Sequence, residues 1–114
     1  MTRLFDNATI RGIIYDQQRI RHALAPRHWY TSQPTYRQLQ AVIARLLRSS
    51  PSAIHSATGV RLGEETVTVY TRKVMLARQQ RWLSVAIYTT GTRVGRLATA
   101  LEPTVAQLTR HGLR

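Results

Sequence analysis

Apolar residues recur at helical spacing in the first half of the chain. The arc consists of Tyr36, Leu39, Val42, Ile43, Leu46 and Leu47. It predicts an amphipathic helix over 35–49, with Thr35 as the N-cap and a basic face opposite the apolar arc. Shorter patterns predict helices over 16–25, begun by Asp16 and ended before Pro26, and over 51–58 and 96–111.

A different pattern follows between Gly63 and Thr90, where β-branched and aromatic residues alternate with polar ones. It predicts a β-hairpin with strands over about 66–76 and 81–90, joined by three or five residues around 78–80. A connection of that length places Val67, Val69, Leu83, Val85 and Ile87 on one aliphatic face. The other face then carries Tyr70, Arg72, Trp82 and Tyr88. Residues 9–15, TIRGIIY, predict a further short strand.

Together these elements predict an α+β fold in a single domain over residues 1–114, in which the hairpin packs on the helices. The chain has the length of one domain, and its 43% hydrophobic content is sufficient for one core. We expect residues 1–7 to form a flexible arm and 109–114 a basic tail.

Charge narrows the functional classes. The net charge is +12, and Lys73 is the only lysine among 17 basic residues. Such an excess favours a polyanionic partner. The planar guanidinium group of arginine donates paired hydrogen bonds to phosphate and to guanine edges, which the ammonium group of lysine does less well. We therefore expect nucleic acid as the partner, with double-stranded DNA first, bound by a homodimer; an acidic protein partner remains the alternative, and no membrane partner is expected.

Other chemistry is not indicated. The chain has no cysteine, its four histidines lack metal-ligand spacing, and its five acidic residues are scattered. Nucleotide-binding loops and Ser-His-Asp patterns are also missing from the sequence. We expect no metal, no cofactor and no enzymatic activity, with a metal-free ribonuclease as the enzyme alternative. No apolar run has the length of a membrane span, and a cytoplasmic location is expected.

Residues 39–76 resemble the helix-turn-helix and winged-helix DNA-binding domains of bacterial regulators. The resemblance is carried by Leu46, Leu47, Ala53, Ile54, Gly59, Val60, Thr66, Val67, Tyr70 and Arg72. It implies a recognition helix that opens at Thr66 and a small regulator or accessory factor of a bacterial, phage or plasmid genome. Propensity favours the hairpin over that helix, because TVTVYT consists of poor helix formers.

The expected nucleic-acid contacts follow from both interpretations. They are Arg45, Arg48, Arg61, Thr66, Thr68, Arg72, Lys73, Arg78 and Arg81. Two alternatives remain open: an RNA-directed module or mRNA-cleaving toxin, and an inhibitor that binds an acidic protein surface. Size, charge and element order are similar to those of small toxins, and in that case Tyr70, Arg72, Lys73 and Arg81 would form the catalytic cluster.

Overall fold

The computed structural model describes residues 5–113, which form an α+β fold of four α-helices and a four-stranded antiparallel sheet. The helices are α1 (Asn7–Ile14), α2 (Gln17–Ala23), α3 (Tyr36–Leu47) and α4 (Val105–Arg110). The strands are β1 (His55–Leu62), β2 (Glu65–Leu76), β3 (Gln79–Tyr88) and β4 (Leu97–Leu101), and they lie in the sheet in chain order. The predicted fold class and the predicted hairpin are confirmed.

Two predicted helices are also confirmed, together with their N-caps. The Asp16 carboxylate accepts from the Arg19 amide at 3.3 Å at the start of α2. Thr35 and Gln38 form a capping box at α3, in which each side chain accepts from the other residue's backbone amide. The apolar arc of α3 is buried against the sheet and α1, as its spacing predicted.

The strand predicted over 9–15 was wrong, because these residues belong to α1. Ile10, Ile13 and Ile14 have the i, i+3, i+4 spacing of a helix face, and Ile10 and Ile13 are buried. The Asp6 carboxylate caps the helix by accepting from the Thr9 amide at 2.7 Å. Packing of that face and the cap outweigh the β propensity of the isoleucines.

The helices predicted over 51–58 and 96–111 were wrong in part. Pro51–Ala53 form one 3-10 turn, and the chain then becomes the edge strand β1. The segment predicted as a helix over 96–111 begins with the strand β4. Burial alternates only weakly along β4, because protein covers both of its faces. Leu97 and Leu101 are four positions apart, as on one face of a helix. The segment is nevertheless a strand, because it pairs with β3 and is buried on both faces.

The hairpin has a different register from the predicted one. Its connection is the two-residue turn Ala77-Arg78, with φ of 51° and 66°, as in the primed turns that suit twisted hairpins. An even-numbered loop exchanges the partners: Tyr70 now pairs with Val85, and Val67 with Tyr88. The predicted aliphatic face is therefore divided between the two sides of the sheet.

As a result, both faces of the sheet are apolar. The first face carries Leu83, Val85 and Ile87 and forms the main core with α1, α2 and α3. The second face carries a smaller cluster of Val67, Ala86, Tyr88 and Ala98, and the short helix α4 covers part of this face.

The ends of the chain are described only in part. Residues 1–4 of the predicted arm and Arg114 of the predicted tail lie outside the described residues. Phe5 contacts the Tyr70 ring edge-on, with 5.4 Å between the centroids. Within residues 5–113, no helix combines the length and the apolar character needed to cross a membrane.

Candidate nucleic-acid interface

The exposed side of α3 carries a stripe of arginines. Arg37, Arg45 and Arg48 are exposed, and Ala41 lies between them on the same side of the helix. Eleven residues separate Arg37 from Arg48, which corresponds to about 16 Å along the helix axis. The buried arc of α3 fixes the orientation of this stripe, because the same helix cannot rotate without exposing its leucines.

The C-terminal end of α1 extends the charged surface. Arg11 and the exposed Tyr15 line an open depression of about 550 Å³ together with Asn7, Ile14 and Arg48. None of these residues is acidic. A tyrosine that is 64% exposed between two arginines offers a ring for stacking and a hydroxyl for a hydrogen bond.

The tip of the β2–β3 hairpin lies on the other side of α3. Met75 and Ala77 line a shallow depression with Ala41 and Arg45, and the exposed Arg78 is the next residue of the turn. We call Arg11, Tyr15, Arg37, Arg45, Arg48 and Arg78 the arginine face. It joins α1, α3 and the hairpin tip on the side of the molecule opposite α4.

Within the part of the chain that the structure describes, no carboxylate pairs with the arginines of this face. Among residues 5–113, the salt bridges are Arg81–Glu102 and Arg96–Asp16, and the arginine face contributes to neither. Four of the five acidic residues are engaged elsewhere: Asp16 and Glu102 in these ion pairs, Glu65 as the acceptor of a hydrogen bond from Thr90, and Asp6 as the cap of α1. Within residues 5–113, the positive charge of the arginine face is therefore not neutralised by an ion pair.

Other predicted contact residues lie away from this face. Thr66 bonds to the hydroxyls of Thr89 and Thr90, and Thr68 is buried. Arg61 lies near the end of the edge strand β1, where it pairs with Thr66. Lys73 lies on the second face of the sheet, over the Trp82 ring with 5.6 Å from its nitrogen to the ring centroid.

Two of the arginines predicted to contact nucleic acid make intramolecular contacts. Arg72 is half-buried and donates to the Ser49 hydroxyl, just after α3. Arg81 is buried, forms a 3.1 Å ion pair with Glu102, and donates at 2.7 Å to the Ser32 carbonyl. Glu102 also accepts from the Thr31 hydroxyl at 2.9 Å. This network connects β3, the end of β4 and the loop after Trp29.

Sequence reasoning missed Arg11 and Tyr15, since it placed both in a strand. The signal was present in Asp6 as an N-cap and in the helical spacing of the three isoleucines that follow it. A helix over those residues puts Arg11 and Tyr15 four positions apart, on one side.

Within residues 5–113, no group of three histidine, cysteine or acidic side chains is placed to hold a metal ion. Comparison with protein-family models, with curated proteins and with solved structures finds no match.

Proposed function

We propose that the protein binds nucleic acid, with double-stranded DNA as the expected ligand, through the arginine face. The observation that supports this proposal is the collection of five arginines on one side of the molecule without a carboxylate partner. Within residues 5–113, no carboxylate pairs with these five arginines, and four of the five acidic residues are engaged elsewhere. A phosphate backbone is the polyanion whose charge density matches such a surface.

The spacing along α3 suits a nucleic-acid backbone. A stripe of about 16 Å passes about five phosphates of one DNA strand, at 3.4 Å per phosphate along the axis. Arg45 and Arg48 are one turn apart, so both guanidinium groups reach the same side. Each is able to donate two parallel hydrogen bonds to a phosphate.

Phosphate contacts fix position and orientation without reading the base sequence. Residues 65–76 form a strand, so the proposal assigns no major-groove helix to them. The arginine face therefore supports an accessory DNA-binding factor more directly than a sequence-specific regulator. A homodimer would double the number of phosphate contacts, since each copy presents one arginine face.

A ribonuclease toxin is not favoured by the position of its expected cluster. Tyr70 and Arg72 face the helices, whereas Lys73 faces the opposite side of the sheet. Arg81 is enclosed in its ion pair. Burial raises the pKa of the Tyr70 phenol, which disfavours the phenolate that a general base would need.

The test compares two variants with the same change in net charge. Arg45→Gln/Arg48→Gln removes charge from the arginine face, and Arg61→Gln/Arg110→Gln removes it from two residues outside that face, which line the groove beside α4. Binding is measured by fluorescence anisotropy with a labelled 20-base-pair duplex and with single-stranded DNA and RNA of the same sequence.

We expect the first variant to bind the duplex about tenfold or more weakly, because two charge-assisted hydrogen bonds are lost. The second variant should stay within about twofold of the unchanged protein, because a charge outside the arginine face is largely screened. Equal losses in both variants would show that net charge alone is responsible. If single-stranded RNA binds more tightly than the duplex, RNA is the ligand instead of DNA. If no nucleic acid binds, an acidic protein is the remaining candidate partner.

A further inference from the structure

Helix α4 covers only part of the second face of the sheet. It follows β4 and ends beside β1, where the ring of His111 lies against His55 with 4.8 Å between the centroids. A groove of about 350 Å³ remains open along the flank of α4 that carries Gln107 and Arg110. Its volume lies at the lower end of the range of small-molecule sites, about 300–1,000 Å³.

The floor of the groove is apolar. It is formed by Val67, Val69 and Ala86, which lie on the second face of β2 and β3, with Val60 of β1 beside them. Ala86 leaves the space that a larger residue would fill. Tyr88 does not offer a stacking surface here, because the Arg93 guanidinium covers its ring at 4.5 Å from the centroid. The floor therefore suits an aliphatic body better than a nucleobase.

Polar groups are few, and those that carry charge are cationic. Arg61 lies at the β1 side of the groove, and Arg110 and His111 lie at the α4 side. No lining residue is acidic. The hydroxyl of Thr99, on β4, is buried with no hydrogen-bond partner within residues 5–113. An unpaired buried hydroxyl is costly, but this oxygen has almost no accessible surface, so the ligand contacts are assigned to the apolar floor and the cationic rim.

We propose that this groove binds a small amphipathic anion, namely a carboxylate with an aliphatic chain. The chain lies on the valine and alanine floor, where burial of apolar area supplies most of the affinity. The carboxylate accepts from Arg61 or Arg110 at the rim, since carboxylate recognition by arginine is charge-assisted. The site lies on the opposite side of the sheet from the arginine face, so this inference does not depend on nucleic-acid binding.

The experiment is an NMR titration of the full chain with three probes. Decanoate has both the chain and the charge, decanol has the chain alone, and acetate has the charge alone. We expect decanoate to bind at least about tenfold more tightly than decanol or acetate, because only decanoate uses both floor and rim. Shifts should be confined to groove residues such as Val60, Val69 and Thr99.

Three variants locate the contributions. Arg61→Gln/Arg110→Gln should weaken decanoate binding about tenfold and leave decanol binding unchanged. Thr99→Val has nearly the same shape and changes only a hydroxyl that is not accessible from the groove, so it should fold normally and bind decanoate like the unchanged protein. Arg45→Gln/Arg48→Gln should bind decanoate like the unchanged protein.

Several results would overturn the proposal. These are equal affinity for decanoate and decanol, shifts centred on the arginine face, or no shift at millimolar decanoate. Groove shifts that follow protein concentration instead of decanoate would assign the groove to a second copy of the chain. Unchanged decanoate binding in Arg61→Gln/Arg110→Gln would remove the assigned role of the rim.

Discussion

Arg81 and Arg45 are the same type of residue in one strongly basic chain, but their surroundings are opposite. The Arg81 side chain is 5% exposed and is held by Glu102 and by the loop after Trp29. Arg45 is exposed on α3 and has no partner among residues 5–113. The difference shows that a net charge of +12 contains two populations, one that stabilises the fold and one that is available to bind.

The position of the acidic residues separates the two populations. Asp16 and Glu102 both lie near β4, and each pairs with an arginine there. Arg19 adds hydrogen bonds to the Leu97 and Ala98 carbonyls, at 3.3 and 2.5 Å, so β4 is held by a third arginine. Between residues 5 and 113, the arginine side chains of the arginine face have no such carboxylate or carbonyl acceptor.

The largest expected effect is that of Arg81→Met. The substitution leaves the Glu102 carboxylate buried without its cation, and it should lower the free energy of unfolding by about 3–5 kcal/mol. Chemical denaturation followed by circular dichroism measures the change. The double variant Arg81→Met/Glu102→Leu should lose less than the single variant, because no uncompensated charge remains. If Arg81→Met lowers the free energy of unfolding by less than about 1 kcal/mol, Arg81 does not belong to the arginines that stabilise the fold.

The role of Arg81 also marks the limit of what the sequence predicted. Periodicity identified α2, α3 and the hairpin, because each has a local pattern of apolar residues that packing reinforces. The sequence did not predict the two-residue turn at Ala77-Arg78, since neither residue is a usual choice for positive φ. That turn decides which side chains share a face, and therefore which arginines reach the core.

The arginine face was predictable only in part. Arg45 and Arg48 follow from the helical pattern of α3, and Arg78 follows from the hairpin tip. The pairing of Arg81 with Glu102 spans 21 positions and depends on the path of the chain between them. Such non-local pairs have no local signal, so the sequence could not separate bound arginines from free ones.

Arg19→Met tests an arginine that has backbone carbonyl partners but no carboxylate partner. It keeps most of the side-chain volume but removes two charge-assisted bonds to β4 carbonyls, and should cost about 1–3 kcal/mol. Hydrogen exchange should increase first at the amides of β4. Gln18→Ala, at an exposed position of the same helix, serves as the control and should stay within about 0.5 kcal/mol. Unchanged exchange at β4 would contradict an anchoring role for Arg19.

Arg96→Gln should have a smaller effect. Arg96 forms a 2.6 Å ion pair with Asp16, and 59% of the Arg96 side chain is exposed to solvent. Exposed pairs contribute about 0.2–1 kcal/mol and weaken with salt. A double-mutant cycle with Asp16→Asn isolates the pair from the helix cap that Asp16 also provides. A coupling that stays constant up to 1 M salt would contradict a screened surface pair.

The smallest stability effect is expected at Asp6, which caps the helix that presents Arg11. Hydrogen bonds from Thr9, first through its backbone amide, hold the pKa of the Asp6 carboxyl below its ordinary value. The folded state thus binds the proton less well, so this contribution is present above the ordinary pKa. It is lost as the pH falls through the lowered value.

Asp6→Asn keeps an N-cap oxygen and removes the charge. The variant should lose the acid dependence of α1, measured as amide shifts of residues 7–14 between neutral pH and pH 2. Identical acid titrations of both proteins would assign the transition to another carboxyl group.

The central claim is that the arginine face binds phosphate and the arginines outside it do not, and the salt dependence of duplex binding tests it most directly. Each phosphate contact contributes about 0.9 to the slope of log K against log salt concentration. Arg45→Gln/Arg48→Gln should therefore reduce the magnitude of the slope by about 1.8, with a free energy of unfolding unchanged within about 0.5 kcal/mol. Arg61→Gln/Arg110→Gln should leave the slope as it is. Equal slopes for the unchanged protein and the arginine-face variant would contradict the account.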